Sequence, residues 1–203
     1  MYNTIATQEQ IDLTVAALKT NGIDSYVAKD GDDAKAKVLE ILPKGAEVMT
    51  MTSVTLDTLG ISKEINESGA YDSVRAKFAT MDSKTQGREM KKLGSAPEYV
   101  VGSVHAVTQD GKVVIVSNTG SQLPAYVYGA DKVVWVVGTQ KITKDLEEAR
   151  KRIGEYVLPL ESERANKAYN MTFGSNIRKE LVLNSEGTAG RITIIFVPEV
   201  VGF

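Results

Sequence analysis

Three short stretches of this chain carry residue types suited to holding an anion. The first is Asn118-Thr119-Gly120-Ser121, directly after the apolar run Val113–Val116 and Ser117. Gly120 permits a positive φ, and successive backbone N–H groups on such a turn can converge on a negative charge. The hydroxyls of Thr119 and Ser121 add donors, and a helix start would add a favourable partial charge. The same four residues describe equally well a capped strand-to-helix turn that binds nothing. The second stretch holds Thr52, Ser53 and Thr55, where an apolar strand meets a helix; a plain N-cap there needs only Ser53. The third is Lys141, after Gly138-Thr139-Gln140 at the end of Val133–Val137. A lysine so placed can pair with a phosphate or carboxylate, against the default of a solvated surface lysine. The expectation is that Ser53, Thr55, Asn118, Thr119, Gly120, Ser121 and Lys141 lie around one anion-binding pocket.

Other chemistry is scarce. The 203 residues include no cysteine and one histidine. That excludes disulfides, thiolate nucleophiles, cysteine-held clusters and a multi-histidine metal site within one chain. His105 sits between Val104 and Ala106 in an apolar strand. A packed, hydrogen-bonded histidine is the commoner reading there, and a general base the rarer one. No carboxylate pair is spaced for two-carboxylate catalysis; Glu161, Glu163 and Arg164 read as a solvated helix start. The pattern G-x-x-x-x-G-K-[ST] is absent, which argues against a P-loop nucleotidase. A formal net charge of -2 offers no case for nucleic acid or an anionic membrane. No apolar run approaches a membrane span, and MYNTIATQEQ lacks the regions of a signal peptide, so a cytoplasmic protein is expected.

The elements that must position these residues follow from periodicity. Thr7 and Gln10 fit a capping box before Ile11, Val15 and Leu18, with Asn21-Gly22 as the stop. A strand over 23–28, a helix capped by Asp32 and ended before Pro43, and a strand over 46–52 come next. Residues 62–97 are polar, with helices expected over 62–68, 71–78 and 84–93. Arg75, Lys77, Lys84, Arg88, Lys91 and Lys92 make them either a solvated face or a basic helical lid over an anion. Strands over 99–108 and 112–117 flank Asp110-Gly111, a strong hairpin signal. Pro124 fits the first turn of a helix ending at Gly129. Val133–Val137 has no alternation, as in a strand buried on both faces. Thr143 can cap a further helix with exposed Glu147–Lys151 and Glu148–Arg152 pairs, broken by Pro159 and followed by a helix over 161–169. Strands over 180–183 and 191–197 close a chain in which no linker marks a boundary. Residues 1–203 therefore read as one α/β domain, with a mainly parallel sheet flanked by helices and one antiparallel hairpin.

The chain resembles the LUD (lactate utilisation) domain family, and within it the lactate-utilisation protein C type. The resemblance rests on Gly102–Thr108 (GSVHAVT), Thr119–Tyr126 (TGSQLPAY), Val134–Ile142 (VWVVGTQKI), Val157–Glu161 (VLPLE) and Gly190–Thr193 (GRIT). Met51–Ile61 is similar to the family's early S-x-T-L-x-x-L-G segment. The resemblance implies a fold like that of the ribose-phosphate isomerase and coenzyme A transferase group. It also implies a link to L-lactate oxidation beside a separate iron–sulfur protein. Transferases of that fold group use a catalytic glutamate, but none occupies either loop here, which disfavours a glutamyl intermediate. Three readings of function follow: an enzyme or enzyme subunit binding a small anionic metabolite, a non-catalytic partner or regulatory domain, and, by fold analogy alone, a phosphosugar isomerase-like enzyme. The residues identify no cofactor and do not decide whether catalysis occurs.

Overall fold

The computed structural model describes residues 2–170 and 172–203. Helix α1 (Gln8–Thr20) is closed by the expected capping box: Thr7 Oγ1 accepts from the Gln10 N–H, and Gln10 Oε1 from the Thr7 N–H. Strand β1 (Asp24–Val27) leads to α2 (Gly31–Ile41). Asp30, not Asp32, caps α2 and accepts from the Asp33 N–H. The reason is backbone shape: Asp30 is extended, as a cap must be, while Asp32 already lies in the first turn. Strand β2 (Glu47–Thr50) runs into α3 (Val54–Thr58), capped by Ser53 as expected, and α4 (Ile61–Glu67). The polar region continues as β3 (Asp72–Ser73), α5 (Val74–Ala79) and α6 (Ser83–Ser95). The two-residue β3 is too short to leave a period in the sequence.

The run expected as one strand over 99–108 is two. β4 (Tyr99–Gly102) ends at a glycine, and β5 (Ala106–Thr108) begins after Ser103-Val104-His105. β6 (Val113–Ser117) completes the expected hairpin, with Gly111 at φ +79°. Beyond Pro124 a π-helical turn spans Ala125–Gly129. β7 (Lys132–Gly138), a 3-10 turn (Thr139–Lys141) and β8 (Ile142–Thr143) follow. Helix α7 (Leu146–Arg152) is capped by Asp145, which accepts from the Glu148 N–H; Thr143 belongs to β8 and caps nothing. Pro159 does not break the helix. α7 continues through a π-helical turn (Ile153–Val157) into α8 (Leu158–Tyr169) without a gap. The widened turn shifts the hydrogen-bond register just upstream of Pro159, so its missing N–H and its ring fall at the start of a new register. β9 (Lys179–Leu183) and β10 (Ile192–Val197) end the fold.

The strands form two sheets. The larger has the order β1-β10-β7-β4-β2-β3 and is parallel throughout. The smaller, β8-β5-β6-β9, holds the hairpin: β5/β6 and β6/β9 are antiparallel and β5/β8 parallel. Alternation along β7 explains its continuous apolar run. Val133, Trp135 and Val137 join one core, with Leu18 of α1 and with Val107 and Ile115 of the smaller sheet. Val134 and Val136 join the other, with Val38 of α2 and Leu56 of α3. Each such side chain contributes roughly 1.5–3 kcal/mol by leaving water. The outer face of the smaller sheet, Ala106, Val114 and Val116, packs on Ala149, Ile153 and Val157 of the long helix. Among the described residues no helix is long and apolar enough to cross a membrane.

Candidate functional site

β7, β4 and β2 are neighbours in the parallel sheet, so their carboxyl ends open at one edge. Two of these strands also change sheets there. β4 continues through Ser103–His105 into β5, and β7 through Thr139–Lys141 into β8; the continuations pair again, Val107 beside Ile142. The paired bends bring Ser103 and Lys141 together, and α3 adds Thr55 from the end of β2. Lys141 Nζ donates to Thr55 Oγ1 at 3.0 Å and to Ser103 Oγ at 3.1 Å. Each hydroxyl has its own proton committed elsewhere. Thr55 donates to the Val201 carbonyl at 3.1 Å and Ser103 to the Val136 carbonyl at 2.7 Å. Both therefore turn lone pairs toward the lysine.

The charges around this lysine are one-sided. Lys141 is 2% exposed and forms no ion pair among the described residues. Burial, and then the Arg152 cation, pull its pKa down to about 7. Arg152, expected on the surface beside Glu148, is buried instead; its Nη1 donates to the His105 carbonyl at 2.6 Å and its guanidinium lies over the Tyr156 ring, while Nε and Nη2 have no hydrogen-bond partner among the described residues. Burial lowers its pKa to about 10, still charged at neutral pH. His105 is half-buried, and its Nδ1 accepts from the Val116 N–H at 3.2 Å. Burial, then Lys141 and Arg152, depress its pKa, so the ring is neutral with its proton on Nε2. It is thus a donor and a poor base. Arg75 of α5 reaches over the end of β2, donating from Nε to the Thr50 carbonyl and from Nη2 to Thr52 Oγ1, both at 2.8 Å. It too has no carboxylate partner among the described residues, and burial lowers its pKa.

A cavity of about 900 Å³ lies at this edge, and Ser53, Thr55, Asn118, Thr119, Gly120, Ser121 and Lys141 all line it. They are drawn from three separate segments, so their meeting is a property of the fold. The 118–121 loop, however, is not an open ring of donors. The Gly120 N–H donates to Ser117 Oγ at 2.8 Å and the Ser121 N–H to Thr119 Oγ1 at 3.3 Å. No long helix follows it either, only a short turn and the π-helical Ala125–Gly129. The loop offers side-chain amide and hydroxyl groups to the cavity, and its backbone serves the turn. The 62–97 region supplies a cavity wall through Arg75, Phe78, Met90 and Lys91. Lys77 and Lys92 instead pair with Glu47, Asp72 and Glu89, as a solvated face would. Among the described residues no group of three or more His, Asp or Glu is placed to hold a metal ion.

Gly120 has φ +86°, and a Cβ there would stand 2.6 Å from Lys179 Cδ. Gly120→Val should therefore lower stability by roughly 1–2 kcal/mol from the backbone alone. A melting curve checks this; an unchanged midpoint would show that the turn tolerates a side chain. Ser103 and Arg152 are the site residues that the sequence placed elsewhere, while Arg75 was among the basic residues read as either a solvated face or a lid over an anion. The one local sign for Ser103 was Gly102-Ser103 interrupting an apolar run. Nothing local marks Arg152 as buried, because its partner is a carbonyl 47 positions away.

The fold and cavity define an α/β protein whose parallel-sheet edge carries a buried lysine without a counter-charge among the described residues. The LUD domain family model matches residues 11–197, and the chain belongs to the LUD domain family. Its fold is similar to that of a DUF162 family protein from Deinococcus radiodurans, DUF162 being the domain's former name. That likeness has a TM-score of 0.59 at 11% identity and covers 93% of this chain and 96% of the other. Ribose 5 phosphate isomerase A from Neisseria gonorrhoeae is similar at a TM-score of 0.33 and 14% identity, over 65% of this chain and 67% of the other. None of the curated proteins matches the chain in sequence.

Proposed function

We propose that this LUD domain binds a short organic acid in the cavity between Lys141 and Arg75, as an enzyme or subunit in the use of L-lactate or a related acid. One observation carries the reading: Lys141 lines a cavity, is buried, and among the described residues is paired only with two hydroxyls. An isolated buried cation costs several kcal/mol unless an anion meets it, and a ligand carboxylate would be that anion. The chain has no cysteine to hold a cluster. Electrons from a hydroxy acid would then pass to a separate iron–sulfur protein, the partner this reading assigns.

The test is thermal and calorimetric titration with L-lactate, pyruvate, glycolate, sugar phosphates and acyl-coenzyme A. The expected result is a raised melting temperature with at least one short carboxylate, about 2.7 kcal/mol of added stability at a hundred times its Kd. The binding should weaken with added salt less than a surface site would, because the cation is buried. If no carboxylate shifts the transition, the non-catalytic partner reading leads. That second reading has its own observation in Tyr128, 90% exposed beside the exposed Val127 on the π-helical turn.

A further inference from the structure

We infer that Lys141 is a covalent nucleophile whose Nζ captures the carbonyl carbon of a 2-oxo acid as an imine. The inference rests on the binding reading above and deepens it, and its first support is a count of protons. A neutral amine has two N–H groups and one lone pair. Thr55 Oγ1 and Ser103 Oγ accept one N–H each, and neither can donate back, since their own protons go to the Val201 and Val136 carbonyls. The lone pair is left without a donor, on a side chain that lines the cavity. Before a ligand arrives no carboxylate among the described residues holds the nitrogen as an ammonium, and burial and the Arg152 cation both favour its neutral form. The depression to about 7 agrees with that geometry. Thr55 and Ser103 act as positioning residues for the nitrogen.

The substrate class follows from what surrounds the nitrogen. Arg75 lines the same cavity with no carboxylate partner among the described residues, and it suits the carboxylate of the acid. A 2-oxo acid carries an electrophilic carbon next to that carboxylate. In the step itself the Nζ lone pair forms the C–N bond and the carbonyl π pair moves to oxygen. One nitrogen proton passes to that oxygen, giving a carbinolamine. The hydroxyl leaves with the second nitrogen proton as water, and the C=N bond forms. Nothing is oxidised or reduced, so no further reactant is needed, and hydrolysis reverses the sequence.

The experiment uses the full chain with pyruvate and cyanoborohydride, read by intact mass and peptide mapping. One reduced adduct per chain, on Lys141, is expected, and none with L-lactate, which lacks the carbonyl. Labelling should rise about tenfold from pH 6 to pH 8, following an amine that titrates at about 7. Lys141→Arg should keep a cation in the cavity while losing the adduct. Calorimetry with L-lactate runs beside the trapping and separates the two failures. L-lactate binding with no adduct, or with adducts spread over surface lysines, overturns the covalent role and leaves the binding reading intact. Absence of L-lactate and pyruvate binding together with absence of an adduct overturns both.

Discussion

Lys141→Met is expected to make the ligand-free protein more stable at pH 6 while removing most of its affinity for short organic acids. Replacing a buried ion by an apolar side chain of similar volume stabilises by about 1–4 kcal/mol where the ion is not well compensated. Among the described residues Lys141 has two hydroxyl acceptors and no carboxylate, so the middle of that range applies. At roughly 2–4 °C per kcal/mol for a domain of 150–250 residues, the midpoint should rise by several degrees. The pH dependence fixes the sign. The folded pKa, about 7, lies below the ordinary lysine value of 10.5. Below pH 7 both folded and unfolded chains carry the proton, and the native state bears the full burial penalty. Between pH 7 and 10.5 the unfolded chain holds a proton that the folded chain has released, so wild-type stability gains from rising pH. The advantage of the Met variant should therefore be largest at pH 6 and shrink steadily toward pH 10. Affinity should fall roughly a hundredfold, as when one partner of a buried charged contact is removed. A variant less stable than wild type at pH 6 would show that an anion within the fold already compensates the lysine.

Gly102→Ala should be among the most damaging single methyl additions to this protein, and Tyr126→Phe should partly repair it. Gly102 ends β4, one residue before Ser103. A Cβ at this position would fall on the Tyr126 hydroxyl, with Tyr126 Cζ at 3.0 Å and Met51 Cβ at 3.4 Å. Tyr126 is 1% exposed and packs edge-on against the fully buried Trp135, ring centroids 5.2 Å apart, which limits how far it can shift. Overpacking of this kind typically costs 1–3 kcal/mol, and a rigid neighbour puts it at about 3 kcal/mol or more. The strain would also move Ser103 away from Lys141, so binding should weaken with stability. Removing the hydroxyl leaves only the ordinary edge of the ring, and the double variant should recover at least about 1 kcal/mol relative to simple addition of the two effects. Denaturant unfolding of the four proteins measures this coupling. Additive effects would mean that the chain moves at position 102 rather than at the ring.

The neutral ring of His105 bears on both results. Its Nδ1 is held by the Val116 N–H and its carbonyl by Arg152, so the residue ties the β4–β5 bend to β6 and to the long helix. The histidine is thus a packed, hydrogen-bonded residue, as its apolar neighbours suggested. Its Nε2–H remains a donor on the cavity wall rather than a base.

What the sequence determined is what local periodicity and local hydrogen bonding control. The all-apolar run Val133–Val137 demanded a strand covered on both faces, and β7 has that place near the middle of the parallel sheet. Asp110-Gly111 demanded a tight turn between apolar runs, because a residue at φ +79° there is met most cheaply by glycine. The caps at Thr7 and Ser53 were legible because each bonds an N–H three residues ahead. The loops carrying Ser53, Thr55, Asn118 to Ser121 and Lys141 were legible as polar segments after buried strands. Only the tertiary structure decided that β4 and β7 leave one sheet for another, since an apolar strand reads the same whichever sheet it joins. That change of sheet sets Ser103 beside Lys141 across 38 residues. It also turns Arg152 inward, because the bend at His105 exposes a carbonyl that a guanidinium can reach. The continuity of the helix past Pro159 came from a π-helical turn, a register shift that no residue pattern announces. Burial of Lys141 is likewise a long-range outcome, since the groups that meet it come from α3 and the β4 bend, and it lowers the pKa of a residue type that is usually solvated.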